Sequence, residues 1–321
     1  MKRIITSVAL LLSGFVGFAQ QDAQFTQNMF NKLSVNPGFA GANGGVCGVL
    51  LYRAQWMGFN GNPTTGTFSG DIAFNFLGAQ HGAGLTVWQD HLGIETTSNF
   101  KLAYAYRRTL GPGDIGIGIE GGLISKSLKP EWVAVDDYTL DASIPDNGAS
   151  DNTFDFGAGL YYQIKNKLYV GLSATHIPQG TFEQAAQSGS FDGLRYNLAR
   201  HYYVMAGYYY DVNPQWQLQP SIFIKSDGAS TQLDLNVLAL YNNSIWGGVS
   251  YRMQDAIAVM AGYNFGGISS NLDGLKLGIA YDYTTSKLGK YTSGSLEVML
   301  KYCKPISSTP KVLKYHSVRF L

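Results

Sequence analysis

Along much of the chain, apolar and polar side chains take strict turns. Phe100, Leu102, Tyr104 and Tyr106 alternate with Lys101, Ala103, Ala105 and Arg107. Trp216, Leu218, Pro220, Ile222 and Ile224 alternate with Gln217, Gln219, Ser221, Phe223 and Lys225. Leu275, Leu277, Ile279, Tyr281 and Tyr283 alternate with Lys276, Gly278, Ala280, Asp282 and Thr284. Period-two alternation held over about nine to eleven residues marks a strand long enough to cross a bilayer at a tilt. Strands of a soluble sandwich are nearer five or six residues, to order of magnitude. Here one face is apolar and aromatic, and the other is small, polar or charged.

Marking every such segment predicts about 14 strands. They fall near 45–56, 65–76, 81–90, 96–108, 114–126, 153–164, 167–176, 201–212, 215–225, 230–241, 244–252, 255–264, 274–284 and 294–303. The fold class is therefore all-β, an antiparallel transmembrane β-barrel whose closure leaves no unpaired edge in lipid. Connection lengths agree with it. The tight turns at Asn166, Asn213-Pro214 and Asn242-Asn243 all follow even-numbered strands, whereas the long gaps 127–152 and 177–200 follow odd-numbered ones. Short turns at one end and long loops at the other are what outer-membrane barrels show. A periplasmic N-terminus puts the long loops outside.

The ends of the chain read differently. Residues 1–19 carry a basic start (Lys2, Arg3), an apolar core from Ile4 to Phe18 and small residues at Gly17 and Ala19. This is a secretory signal peptide, too short to be kept as a membrane span, and it makes Gln20 the first mature residue. Residues 20–44 are too irregular for a strand. Phe25, Met29, Phe30 and Leu33 recur at roughly helical spacing until Asn36-Pro37-Gly38 breaks the run. The segment is expected to plug the lumen or to lie along the periplasmic rim. The barrel occupies 45–303. Residues 304–321 form a periplasmic tail, because two prolines oppose further pairing. That tail is either frayed or docks a periplasmic partner through Val312, Leu313, Val318, Phe320 and Leu321.

Composition narrows the partners. Charged residues make up 14% of the chain while Gly (39) and Tyr (21) are plentiful, which suits lipid outside and close packing inside. A net charge of +1 gives no basic surface for nucleic acid. The charges that do occur fall on the inward parity: Arg53, Asp71, Lys101, Arg107, Glu120, Lys225, Asp234, Arg252, Asp282, Glu297 and Lys301. Facing lipid near the midplane, each Lys or Arg would cost about 2–4 kcal/mol. Facing inward they can pair and close the lumen, line a polar conduit, or bind small charged molecules. Cys47 and Cys303 lie at the starts and ends of the first and last strands, which are antiparallel neighbours in a closed barrel. A seam-closing disulfide is expected if the register brings them together, since the periplasm permits one.

Motifs for chemistry dissolve on inspection. Gly116-Ile117-Gly118-Ile119-Glu120-Gly121 matches a dinucleotide pattern that requires a helix to open on it. Alternation runs straight through it, so the glycines are small inward-facing or bent strand positions. The five histidines (81, 91, 176, 201, 316) have no metal-ligand spacing. Asp136, Asp137, Asp141, Asp146 and Asp151 cluster in a long loop, but Pro145 breaks the phasing of a calcium loop. No nucleophile motif marks an enzyme of the outer-membrane phospholipase kind. No cofactor, metal or catalytic residue is assigned.

The opening stretch carries a resemblance. Asp22–Gly41 (DAQFTQNMFNKLSVNPGFAG) followed by Tyr52–Trp56 (YRAQW) resembles the start of mature PorP/SprF-family proteins. The likeness continues through Gly82-x-Gly84, Asp90-x-x-Gly93, Ala103–Arg107, Phe154–Tyr162 with Tyr169–His176, Pro220-Ser221 with Lys225, Trp246–Arg252 with Asp255-Ala256, and Tyr281–Tyr283 with Ser293–Glu297. Lys32 departs from it, standing where the family often has Pro, and so do Ser295-Leu296-Glu297 and a long tail after Tyr302. The resemblance implies an outer-membrane component of type IX secretion and gliding. Such a component helps to export or retain large adhesins by binding their C-terminal domains and other subunits of the machinery. The alternative is a porin or FadL-like transporter for small or apolar solutes.

Overall fold

The computed structural model describes residues 22–128, 150–184, 194–267 and 272–306. Fourteen strands pair antiparallel into a closed barrel. In chain order these are β1 (Gly45–Ala54), β2 (Thr64–Phe76), β3 (Ala79–Leu92), β4 (Glu95–Leu110), β5 (Gly113–Leu128), β6 (Ser150–Ile164) and β7 (Leu168–Thr175). A small hairpin, β8 (Thr181–Gln184) and β9 (Leu194–Asn197), stands apart in the loop that follows. The barrel resumes with β10 (His201–Tyr208), continued by β11 (Tyr210–Asp211), then β12 (Trp216–Ser226), β13 (Thr231–Tyr241), β14 (Ile245–Arg252), β15 (Ala256–Asn264), β16 (Leu275–Thr284) and β17 (Ser295–Pro305). Each strand pairs with its sequence neighbours, and β1 pairs with β17 to close the ring. No helix among the described residues is long and apolar enough to cross a membrane.

Every predicted strand is present, with ends shifted by a few residues. The last one runs further than expected: Lys304 and Pro305 pair with Val46 and Gly45. Pro305 sits at the ladder's end, where its missing N–H costs nothing, and Ile306 N–H still reaches the Gly44 carbonyl at 3.4 Å. The rest of the expected docking tail and Asp136, Asp137, Asp141 and Asp146 lie outside the described residues.

Alternation explains the wall. Leu102, Ile119, Phe154, Val259 and Ile279 point outward as an exposed apolar band, while Lys101, Glu120, Asp155, Ala258 and Ala280 point in and are buried. The asparagines make the tight turns for a specific reason. Asn166, Asn242 and Asn243 adopt left-handed φ of 57°, 47° and 54°, which Asn tolerates better than most residues. Asn213 instead accepts from the Gln215 and Trp216 amides at 2.9 Å each.

The opening segment differs from expectation. It forms no amphipathic helix, only two single 3-10 turns, Asn28–Phe30 and Pro37–Phe39. Its apolar residues are divided between two opposite walls. Phe25, Met29 and Phe30 pack against Val49, Leu51, Leu238, Trp246, Met260 and Met299. Leu33, Phe39 and Ala40 join Ala103, Ala105, Tyr161, Tyr169 and Met205. A helix would keep its backbone groups for itself; here barrel side chains take them instead. Glu297 accepts from the Thr26 and Gln27 amides (2.8 Å each), and Lys301 donates to the Phe30 carbonyl (3.1 Å). Ser173 donates to the Val35 carbonyl (2.6 Å), and Arg107 to the Gly38 carbonyl (3.1 Å). These partners come from inward-facing positions on β4, β7 and β17.

Candidate functional site

The inward-facing charges and the opening segment they hold are the candidate site, and it is built around Thr26. Thr26 Oγ1 donates to both Asp282 oxygens (2.7 and 2.8 Å) and accepts from Arg53 (2.9 Å). Arg53 also binds Asp282 at 2.8 Å and Glu297 at 3.2 Å. Arg252 reaches Asp234 (3.3 Å), Asp255 (3.3 Å) and Asp282 (3.2 Å). Arg53 is 1% exposed and Glu297 0%. At such burial an unpaired charge is heavily penalised, and the alternating signs relieve that penalty. Register explains the meeting: Arg53 lies opposite Glu297 across the β1–β17 seam, and Arg252 opposite Asp234 across β13–β14.

A second network lies on the β4–β10 wall. Lys101 holds Glu120 and Asp155 at 3.0 Å each. Asp155 in turn lies 3.0 Å from His176 Nδ1, an ion-pair contact rather than a well-aligned hydrogen bond. His176 Nε2 faces Asp22 Oδ1 and Oδ2 at 3.0 and 3.1 Å. Asp22 also accepts from the Tyr203 hydroxyl (2.6 Å), its amide donates to His201 Nε2 (3.4 Å), and its carbonyl accepts from Lys225 (2.9 Å). Burial pulls the His176 imidazole toward neutrality, but Asp22 and Asp155 overcome it and push its pKa up to about 9. Burial opposes ionisation of Asp22 as well, yet the two histidines hold its carboxyl well below the usual range.

Besides Glu297, four of the expected lumen charges serve the segment's backbone. Asp71 accepts from the Gly41 amide at 2.8 Å, and Arg107, Lys225 and Lys301 donate to its carbonyls. Beside the ion pairs within the wall, the inward charges thus also hold the backbone of residues 22–41. The inward face also departs from uniform polarity. Val49, Leu51, Leu238, Trp246, Met260 and Met299 face in, and Phe30 meets Trp246 with ring centres 4.9 Å apart. Lys32, the departure from the family pattern, lies 3.4 Å from the Tyr169 ring centre, with Phe39 and Tyr161 beside it.

Glycines make the close approach possible. Gly38 lies so near β5 and β6 that a Cβ on it would stand 2.9 Å from the Gly116 and Gly159 carbonyl oxygens. A Cβ on Gly118 would strike the Pro37-Gly38 backbone, and one on Gly82 the Ala40 carbonyl. Gly116 and Gly118 of the apparent dinucleotide pattern are thus a cradle for the Asn36-Pro37-Gly38 turn. Asn36 locks that turn by donating to the Leu160 and Leu172 carbonyls at 3.0 and 3.3 Å and accepting from Gly38 N–H at 2.9 Å. Across the seam, Cys47 lies directly opposite Cys303 in register, with Cα atoms 4.1 Å apart, and their sulfurs are bonded.

A vestibule of about 510 Å³ opens at the long-loop end, with Asp22, His176, His201, Trp56, Asp90 and Glu95 among its walls. Sequence spacing missed the meeting of Asp22, His176 and His201. Its one legible signal is that His176 and His201 bracket a single loop between adjacent strands, since His201 pairs with Thr175.

Among solved structures, a Ralstonia pickettii toluene transporter, TbuX, is similar over 87% of this chain and 94% of its own, with 13% identity and a TM-score of 0.50. The CymD monoaromatic hydrocarbon channel covers 91% and 96% at 12% identity (TM-score 0.48), and the translocator domain of the Neisseria meningitidis autotransporter NalP covers 86% and 94% at 13% (TM-score 0.44). At this identity the likeness to TbuX speaks for the fold alone. No curated protein matches the chain in sequence. The model of the type IX secretion system membrane protein PorP/SprF matches residues 17–302, so this outer-membrane barrel belongs to the PorP/SprF family.

Proposed function

We propose that the protein serves type IX secretion as a docking barrel, helping to export or retain large surface adhesins by binding their C-terminal domains. The observation that carries this reading is the hold of inward-facing side chains on the opening segment, which Glu297, Arg53, Asp71, Arg107, Lys225 and Lys301 all bind. In this reading residues 22–44 fill the lumen. A barrel filled in this way acts through its rims. With the short turns in the periplasm, the long loops engage cargo outside, and the tail beyond Pro305 engages the machinery within. Residues 1–19 are removed on export, which frees the segment to seat.

Gene deletion tests this reading. The expected result is loss of a surface adhesin, with uptake of small and aromatic solutes unchanged and secretion subunits or adhesin C-terminal domains co-purifying with the tagged barrel. Normal adhesin display together with lost aromatic uptake would establish a transporter instead. The lumen itself is tested in planar bilayers, where the full-length protein is expected to be quiet and the variant lacking residues 22–44 to conduct.

A further inference from the structure

We propose that Asp22, His176 and His201 form a binding site for a divalent transition-metal ion of the zinc class, which pins the start of the lumen segment to both ends of the 176–200 loop. The donor atoms already converge, lying within 4.8 Å of one another. Two imidazole nitrogens and one carboxylate suit zinc and its neighbours, whereas calcium and magnesium prefer all-oxygen shells.

The outer contacts argue most strongly for a metal. A ligating histidine almost always donates its second ring N–H to a carboxylate or a backbone carbonyl, which fixes the ring and frees the other nitrogen. His201 does so, and His176 keeps an ion-pair contact to a carboxylate on the same side. His176 Nδ1 faces Asp155 Oδ2 at 3.0 Å, and His201 Nδ1 faces the Ala199 carbonyl at 3.0 Å. His176 Nε2 is turned toward the Asp22 carboxylate, and His201 Nε2 toward the Asp22 backbone amide, a long 3.4 Å hydrogen bond that a metal would displace. The rings stand edge to face with centres 5.6 Å apart, so the two nitrogens approach one point from different directions. Tyr203 orients the carboxylate from behind through its 2.6 Å hydrogen bond. The histidines are 1% and 3% exposed, while the Asp22 side chain is 24% exposed to the vestibule. That open side admits the ion and leaves room for water as a further ligand. The competing occupant is a proton on His176 Nε2, which a metal would displace.

The test uses the full chain purified in detergent, stripped with a chelator and then exchanged against zinc. Retention of one zinc per chain against a competing chelator is expected. His176→Gln and His201→Gln should each abolish stoichiometric retention. Asp155→Asn, which touches no metal, should weaken it by roughly 10- to 100-fold. Only variants that still show the heat-dependent gel migration of a folded barrel are scored. The wild-type protein provides a second measurement: cobalt(II) should develop the strong visible bands of a low-coordinate site with nitrogen ligands. Failure of the wild type to retain zinc, retention undiminished in both folded histidine variants, or a cobalt spectrum no stronger than that of the aqueous ion would each overturn the proposal.

Discussion

Glu297→Gln isolates the grip of the barrel on its lumen segment. The change alters neither shape nor volume, and Glu297 is fully buried, so no cavity or new exposure confuses the result. Its two oxygens accept the Gln27 and Thr26 amides at 2.8 Å, and the second also holds Arg53 at 3.2 Å. A carboxamide keeps one acceptor and turns an N–H toward whatever the other oxygen served. One charge-assisted hydrogen bond, worth about 1.5–3 kcal/mol, is lost, and a buried amide is orphaned at roughly 1–3 kcal/mol. Arg53 keeps Asp282 at 2.8 Å, which limits the further loss. A net weakening of about 3–5 kcal/mol in local seating follows, equal to roughly two to three and a half powers of ten in the opening equilibrium. Hydrogen exchange of the peptide covering residues 22–33 reads this directly, because amides that exchange through local opening speed up by the same factor. The strand amides of β4 and β5, on the far wall, should not change. Exchange within about threefold of wild type at Thr26 and Gln27 would refute the claim that this carboxylate holds the segment.

Four further outcomes are expected. Lys101→Met leaves Glu120 and Asp155 buried without their shared cation and should lower stability by about 3–5 kcal/mol, read from the urea midpoint of the lipid-reconstituted barrel. Cys47→Ser should abolish the mobility difference between reduced and non-reduced gels and lower stability by roughly 2–4 kcal/mol under oxidising conditions, with no effect in reductant. Lys32→Met should leave stability unchanged or raise it: a cation–π contact of about 2 kcal/mol goes, but so does the burial of an ammonium with no acid beside it. A loss above about 1 kcal/mol would show that the aromatic surround outweighs desolvation. Gly118→Val should drive the Pro37-Gly38 turn off β5 and expose residues 22–44 to protease, while the outer wall still folds.

The barrel was legible because its rule is local. Each residue's facing depends only on its parity along a strand, so Phe100 to Arg107 reveals its own orientation without knowledge of any other strand. Register is less local: taking the first and last strands as neighbours puts Cys47 and Cys303 at the same end of the seam, and the observed register sets them directly opposite. The lumen segment obeys no such rule. Phe25, Met29, Phe30 and Leu33 look helical in spacing because their apolar side chains recur every three or four positions. In the molecule they recur because successive residues serve opposite walls. Two clues in the wall stood against a helix. Val49, Leu51, Leu238 and Leu240 fall on the inward parity, where an aqueous lumen has no use for them, so something apolar must cover them. Gly116, Gly118 and Gly159 give up side chains along one inward strip, which is reasonable only where another backbone comes within touching distance. Read together, an apolar patch facing a glycine strip across a barrel predicts an extended chain between them, with its own carbonyls and amides in need of partners. The inward charges that lack an obvious opposite number in the neighbouring strand, Asp71, Arg107 and Lys301, are those partners.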